Sequence, residues 1–162
     1  MKKEIVDKSF HYTKEEMVKD LIDLIPLNNK DKVLDAGSGL NKVFYNNIPN
    51  FCERYECELD EGKDFLLEKN SFDWIIGNPP YHIAKDFLLH SASLSKKGIA
   101  FLINLTCLNS FLLPSRLKKM QSFGFYINKI HIVQDKRWFG RYFFVIFTKE
   151  PSSIISYQER SY

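Results

Sequence analysis

Hydrophobic positions change period several times along the chain, and each change predicts an element. In "YTKEEMVKDLIDLIP" Met17, Leu21, Ile22, Leu24 and Ile25 recur at helical spacing, and Pro26 ends the run. Thr13 followed by Glu16 reads as a capping box at its start. "KVLDAGSG" is instead a short apolar run that breaks into glycine, as a buried strand does on entering a turn. "LNKVFYNNI" predicts a short helix, and "CERYECELD" alternates as a strand. "FDWIIGN" predicts a third strand, followed by a helix over "AKDFLLHSASL". "KKGIAFLINLTCL" reads as one strongly apolar strand. "PSRLKKMQSFG" predicts a helix with Pro114 first and Gly124 past its end. "YINKIHIV" and "RYFFVIFTK" lie so close in sequence that they should pair antiparallel.

Strands alternating with helices define an α/β chain. The expected architecture is a Rossmann-like, doubly wound and mostly parallel sheet with an antiparallel C-terminal strand. At 162 residues, the length suits a single domain over 1–162, with no separate recognition domain. Ligands in such folds bind beyond the carboxyl ends of the strands, near the switch in strand order. That rule brings "DAGSG", "ELD" and "NPPY" around one crevice.

Composition narrows the class. Hydrophobic content of 44% and charged content of 27% are those of an ordinary globular protein. No run of 18 apolar residues occurs, and "MKKEIVDKSF" lacks the apolar centre of a signal peptide, so a cytoplasmic protein is expected. Cys52, Cys57 and Cys107 lack metal-ligand spacing, and His11, His82, His90 and His131 are scattered, so no metal is expected. The net charge of +3 is unevenly placed: residues 1–84 carry 11 Lys/Arg against 16 Asp/Glu, and residues 85–150 carry 11 against 3. A basic second half suits a polyanion such as nucleic acid, although solvated lysines on helix faces would give the same count.

Gly37 and Gly39 end the first strand, where glycine permits a left-handed turn and close approach of a ligand. The run is not the G-x-G-x-x-G of a dinucleotide fold, because position 42 is Lys. Asp35, at the strand end, is costly to bury unless a cation or donor meets it. Glu58 stands at the end of the next strand, where a carboxylate can accept both hydroxyls of a ribose, with Glu56 as the neighbouring candidate. Asp64 could accept from an amino group or cap a turn. Asn78-Pro79-Pro80-Tyr81 is a rigid turn, since proline fixes φ and donates nothing. The Asn78 side-chain oxygen and the Pro79 carbonyl can both accept from one planar NH2 group, and Tyr81 offers a face on which a planar substrate stacks. The pair of acceptors draws the nitrogen lone pair out of conjugation and makes it nucleophilic towards a methyl sulfonium. Trp138 and Phe139, framed by Lys136, Arg137 and Arg141, suit base stacking with phosphate contact, or else plug the core beneath a hairpin. Lys118 and Lys119 are further phosphate candidates.

In this order the motifs resemble those of the Rossmann-type S-adenosylmethionine-dependent methyltransferases, and within them the N6-adenine DNA branch of small phage and restriction type. The resemblance covers about residues 10 to 149 and rests on Phe10, Thr13, Asp35-Ala36-Gly37-Ser38-Gly39, Glu58, Asp64 and Asn78 to Tyr81. It implies the class I methyltransferase fold and S-adenosyl-L-methionine as cofactor, held by Phe10, Thr13, Asp35, Gly37, Gly39, Glu58 and Asp64. Its methionyl ammonium would be the cation that meets Asp35. It implies Asn78, Pro79, Pro80 and Tyr81 as catalytic residues acting on a flipped adenine. The segment between Glu58 and Asp64 is too short for the helix that follows the acidic strand in the family. With no separate recognition domain, target recognition would fall to a recognition subunit or a homodimer, with DNA favoured over RNA as partner. The same turn occurs in enzymes that methylate RNA adenine, cytosine N4 or protein glutamine, and a catalytically idle subunit is a further alternative.

Overall fold

The central strands are buried on both faces, which is why they read as continuous apolar runs rather than as alternation. The computed structural model describes residues 13–134 and 140–151. Strands β1 (Lys32–Ala36), β2 (Glu53–Cys57), β3 (Phe72–Gly77), β4 (Ser95–Asn104), β5 (Tyr126–Val133) and β6 (Tyr142–Thr148) form one sheet in the order β2-β1-β3-β4-β6-β5. β2, β1, β3 and β4 are mutually parallel, and β6 runs antiparallel between β4 and β5. The chain leaves β1 for the β2 edge and returns to β3 on the other side of β1. That reversal opens the crevice beyond the ends of β1 and β3.

Helices α1 (Glu15–Ile22) and α2 (Val43–Asn47) cover one face, over Val33, Trp74, Ile76 and Phe144. Helices α3 (Ala84–Leu94), α4 (Leu105–Phe111) and α5 (Pro114–Ser122) cover the other, over Leu34, Ile75, Phe101 and Phe147. Among the described residues no helix is long and apolar enough to cross a membrane.

Two local expectations are revised. The expected capping box does not form: Lys14 is the N-cap of α1 without a side-chain hydrogen bond, and the Thr13 hydroxyl instead meets Asn78 Nδ2 at 3.5 Å. The apolar run after Lys97 is not one strand, because β4 stops at Asn104, whose side chain accepts from Cys107 N at 2.9 Å and starts α4. The last hairpin places β6 inside the sheet and leaves β5 at the edge. The link from β2 to β3 holds two single 3-10 turns, Leu59–Glu61 and Phe65–Leu67, and no α-helix, as its short length predicts.

Candidate functional site

A cavity of about 420 Å3 lies beyond the carboxyl ends of β1, β2 and β3. That volume falls in the roughly 300–1,000 Å3 range of small-molecule sites. Gly37, Gly39, Glu58, Asp64, Asn78, Pro79, Pro80 and Tyr81 all line it. Three segments far apart in sequence thus converge as the strand-end rule predicts. Cys57, Leu59, Lys63, Phe65, Ile83 and Phe87 complete the wall, and sequence reading did not single these out. Phe65 and Phe87 pack with ring centroids 4.7 Å apart. They form part of the apolar wall.

The glycine loop is built to approach a ligand. Gly37 and Gly39 have φ of 74° and 66°. The amides of Gly37 and Ser38 donate to the Cys57 carbonyl at 2.9 and 3.0 Å, which ties the loop to the end of β2. The Gly39 amide donates to Glu58 Oε2 at 2.6 Å, and Asp60 N donates to Oε1 at 3.2 Å. A carboxylate has about four acceptor positions, so Glu58 is oriented by these bonds and not saturated. Glu56 does not line the cavity; it pairs with Lys63 and Lys42 and accepts from the Ser38 hydroxyl at 3.2 Å. Asp64 lines the cavity and also caps the following turn, accepting from Leu66 N at 2.9 Å.

Asp35 lies beneath the cavity, 1% exposed, and does not line it. Its Oδ2 accepts from Tyr45 N at 2.9 Å, fixing α2, while Oδ1 has no partner among the described residues. Burial raises its pKa to about 7; the Tyr45 amide opposes that shift, and Glu56 and Glu58 add to it. Above it sits Gly77, at φ 142°, where a Cβ would stand 2.8 Å from Asp35 Oδ1 and 2.9 Å from the Ala36 carbonyl. The first strand's acid and the start of the Asn-Pro-Pro-Tyr turn are therefore packed with no room for a side chain. A glycine closing an otherwise apolar strand was the signal for this.

Asn78 is half-buried, and its Oδ1 has no hydrogen-bond partner among the described residues. A buried acceptor left unmade costs about 1–3 kcal/mol, which is characteristic of groups kept for a ligand. Tyr81 is half-buried, with its ring 6.5 Å from that of Tyr142. Its carbonyl accepts from Cys107 Sγ at 3.5 Å, which anchors the turn on α4. Burial pushes the Tyr81 phenol well above its ordinary pKa; Tyr142 and Cys107 add to this, and Asn78 opposes it. The phenol is therefore neutral and not a base.

Arg141 is exposed immediately before β6, at the sheet end that carries the crevice, since Tyr142 pairs with Asn104. Lys118 and Lys119 are exposed on α5. Lys119 lies 5.2 Å from the Phe123 ring, towards the opposite end of the sheet. Phe10, Lys136, Arg137, Trp138 and Phe139 lie outside the described residues.

Strand order, the single antiparallel strand and the glycine loop together define the class I methyltransferase fold. No family model matches the chain, and no curated protein matches it. Solved structures do. A precorrin-6y C5,15-methyltransferase from Geobacter metallireducens superposes with a TM-score of 0.63 at 12% identity, over 86% of this chain and 90% of that one. A putative RNA methyltransferase from Pyrococcus horikoshii gives 0.57 at 17% identity, over 85% and 82%. Magnesium protoporphyrin IX methyltransferase from Synechocystis, crystallised with bound S-adenosylmethionine, gives 0.57 at 11% identity, over 84% and 79%. At these identities the likeness is one of fold.

Proposed function

We propose that this chain is an S-adenosylmethionine-dependent methyltransferase acting on the exocyclic N6 amino group of adenine in DNA. The observation that carries the reading is the buried Asn78 Oδ1, unpartnered among the described residues, in a proline-fixed turn on the cavity wall. The cavity suits the cofactor. Gly39 leaves open space where a Cβ would sit, and Glu58 presents a carboxylate oriented by backbone donors for the ribose hydroxyls. Asp64 stands on the same wall for the adenine amino group. The Synechocystis enzyme of the same fold holds S-adenosylmethionine.

Bound S-adenosylmethionine supplies a methyl group on a cationic sulfur, and one amino proton passes to solvent as the nitrogen–carbon bond replaces the sulfur–carbon bond. The protein's part is positioning and charge matching. Asn78 Oδ1 and the Pro79 carbonyl accept from the target amino group and stabilise the positive charge that grows on nitrogen. Tyr81 supplies the stacking face for a base taken out of the duplex. Its phenol stays protonated, so it does not take the proton. Arg141 contacts phosphate beside the crevice, together with Lys136 and Arg137, while Trp138 and Phe139 stack on bases.

RNA adenine is the second reading, favoured by the likeness in fold to the Pyrococcus horikoshii protein. The test is transfer of tritiated methyl groups to unmethylated genomic DNA, to total RNA and to a release-factor-type protein in parallel. Label in DNA supports the first reading; label confined to RNA or protein moves the substrate and overturns it.

A further inference from the structure

Lys42 follows the glycine loop with φ 47° and ψ 41°, a left-handed conformation disfavoured in an L-residue. Such conformations persist where the surroundings over-determine them. Here the surroundings are acidic: the Lys42 ammonium lies 2.8 Å from Glu61 Oε2 and 3.5 Å from Glu56 Oε1. Glu56 is bound in turn by Lys63 and by the Ser38 hydroxyl. The Glu56 side chain is 10% exposed, so solvent screens this cluster less than a surface pair. Burial works against the Glu56 charge, but Lys63, Lys42 and Ser38 outweigh it and hold its pKa below the ordinary carboxylate range.

The segment from Glu58 to Asp64 is what the cluster restrains. It brings Glu58, Leu59, Lys63 and Asp64 to the cavity wall with no α-helix to hold it. Its own backbone bonds are local: Glu61 N and Lys63 N donate to Glu58 O, and Gly62 N donates to Leu59 O. Two bonds cross from it to the glycine loop: Glu58 to the Gly39 amide at its base, and Glu61 to Lys42 at its apex.

We propose that Lys42 is a positioning residue that clasps the 58–64 loop to the glycine loop and so holds together two walls of the cofactor cavity. The proposal rests on reading that cavity as an S-adenosylmethionine site. Lys42 stands where a dinucleotide motif would place its third glycine, and it keeps a glycine-like backbone while adding a charge.

Lys42→Gly tests the charge without straining the backbone, and Lys42→Arg restores the charge. Binding of S-adenosylhomocysteine is measured by calorimetry, and hydrogen exchange is followed at the amides of Glu61, Gly62 and Lys63 in the free protein. Lys42→Gly should weaken binding about three- to fivefold and accelerate exchange at the three amides, while Lys42→Arg stays within about twofold of wild type. In methyl transfer, Lys42→Gly should raise the cofactor KM by the same factor and leave kcat within about twofold. Wild-type affinity and unchanged exchange in Lys42→Gly would overturn the clasp. Failure of the wild-type chain to bind S-adenosylhomocysteine would overturn the cofactor reading and take the proposal with it.

Discussion

Asn78 points its amide nitrogen at the Thr13 hydroxyl, 3.5 Å away, and leaves its oxygen buried without a donor among the described residues. Thr13 thereby helps fix the orientation of the Asn78 amide. Asn78→Ala should lower kcat about 10²–10³-fold, the range measured for loss of one aligned polar group in an active site. Cofactor affinity, measured by calorimetry, should stay within about twofold. Substantial turnover in this variant would remove Asn78 from the mechanism.

Gly77 joins the two halves of the site, and a side chain has nowhere to go there. A Cβ would meet Asp35 Oδ1 at 2.8 Å and the Ala36 carbonyl at 2.9 Å, with φ at 142°. Gly77→Ala should cost roughly 2–4 kcal/mol of stability through clash and backbone strain. Gly39→Ala is the comparison: a Cβ there meets nothing within 4 Å, so only the left-handed φ of 66° is strained. Its cost should be about 1–2 kcal/mol. Equal melting temperatures for the two variants would contradict this account of Gly77.

Asp35 makes stability depend on pH with an unusual sign. Its carboxyl moves from an ordinary 3.8 to about 7 on folding, mainly through burial. The folded chain therefore holds this proton more tightly than the unfolded chain does. The contribution is fully present below about pH 4, falls as pH rises towards 7 and is flat above. Its span is on the order of 2–4 kcal/mol. Asp35→Asn keeps an acceptor for Tyr45 N and cannot titrate, so the difference between wild-type and variant denaturation curves should trace this slope. A difference that does not change between pH 4 and pH 7 would refute it.

Tyr81 is assigned a face and not a proton. Tyr81→Phe should retain methyl transfer within several-fold, whereas Tyr81→Ala should lose at least the roughly 1–3 kcal/mol of one base–aromatic stack. A pH–rate profile altered by Tyr81→Phe between pH 6 and 9 would show that the hydroxyl titrates in the reaction, against its burial.

Much of this was legible because the relevant signals are local. The helix over Ala84–Leu94 and the glycine turn after β1 were written in periodicity and in glycine. The strand-end rule then brought Gly37, Glu58 and Asn78 together, since topology and not distance in sequence sets that meeting. Of the misread features, two depend on partners distant in sequence and one on a local cap that composition hides. Thr13 has the spacing of a capping residue, yet its hydroxyl faces Asn78 across 65 positions. Leu105 to Leu108 have strand-like composition, and only the Asn104 cap shows where helix begins. Lys42 was read as the break in a glycine motif; its left-handed backbone depends on Glu56 and Glu61, which no local pattern reveals.

The proposed chemistry is presentation of an adenine amino group for methylation by the Asn-Pro-Pro-Tyr turn. The most direct test incubates unmethylated DNA with the chain and labelled S-adenosylmethionine, digests the product to nucleosides and identifies the labelled one. N6-methyladenine is expected from wild type and should be lost in Asn78→Ala. Label on cytosine, or N6-methyladenine formed equally by Asn78→Ala, would contradict it.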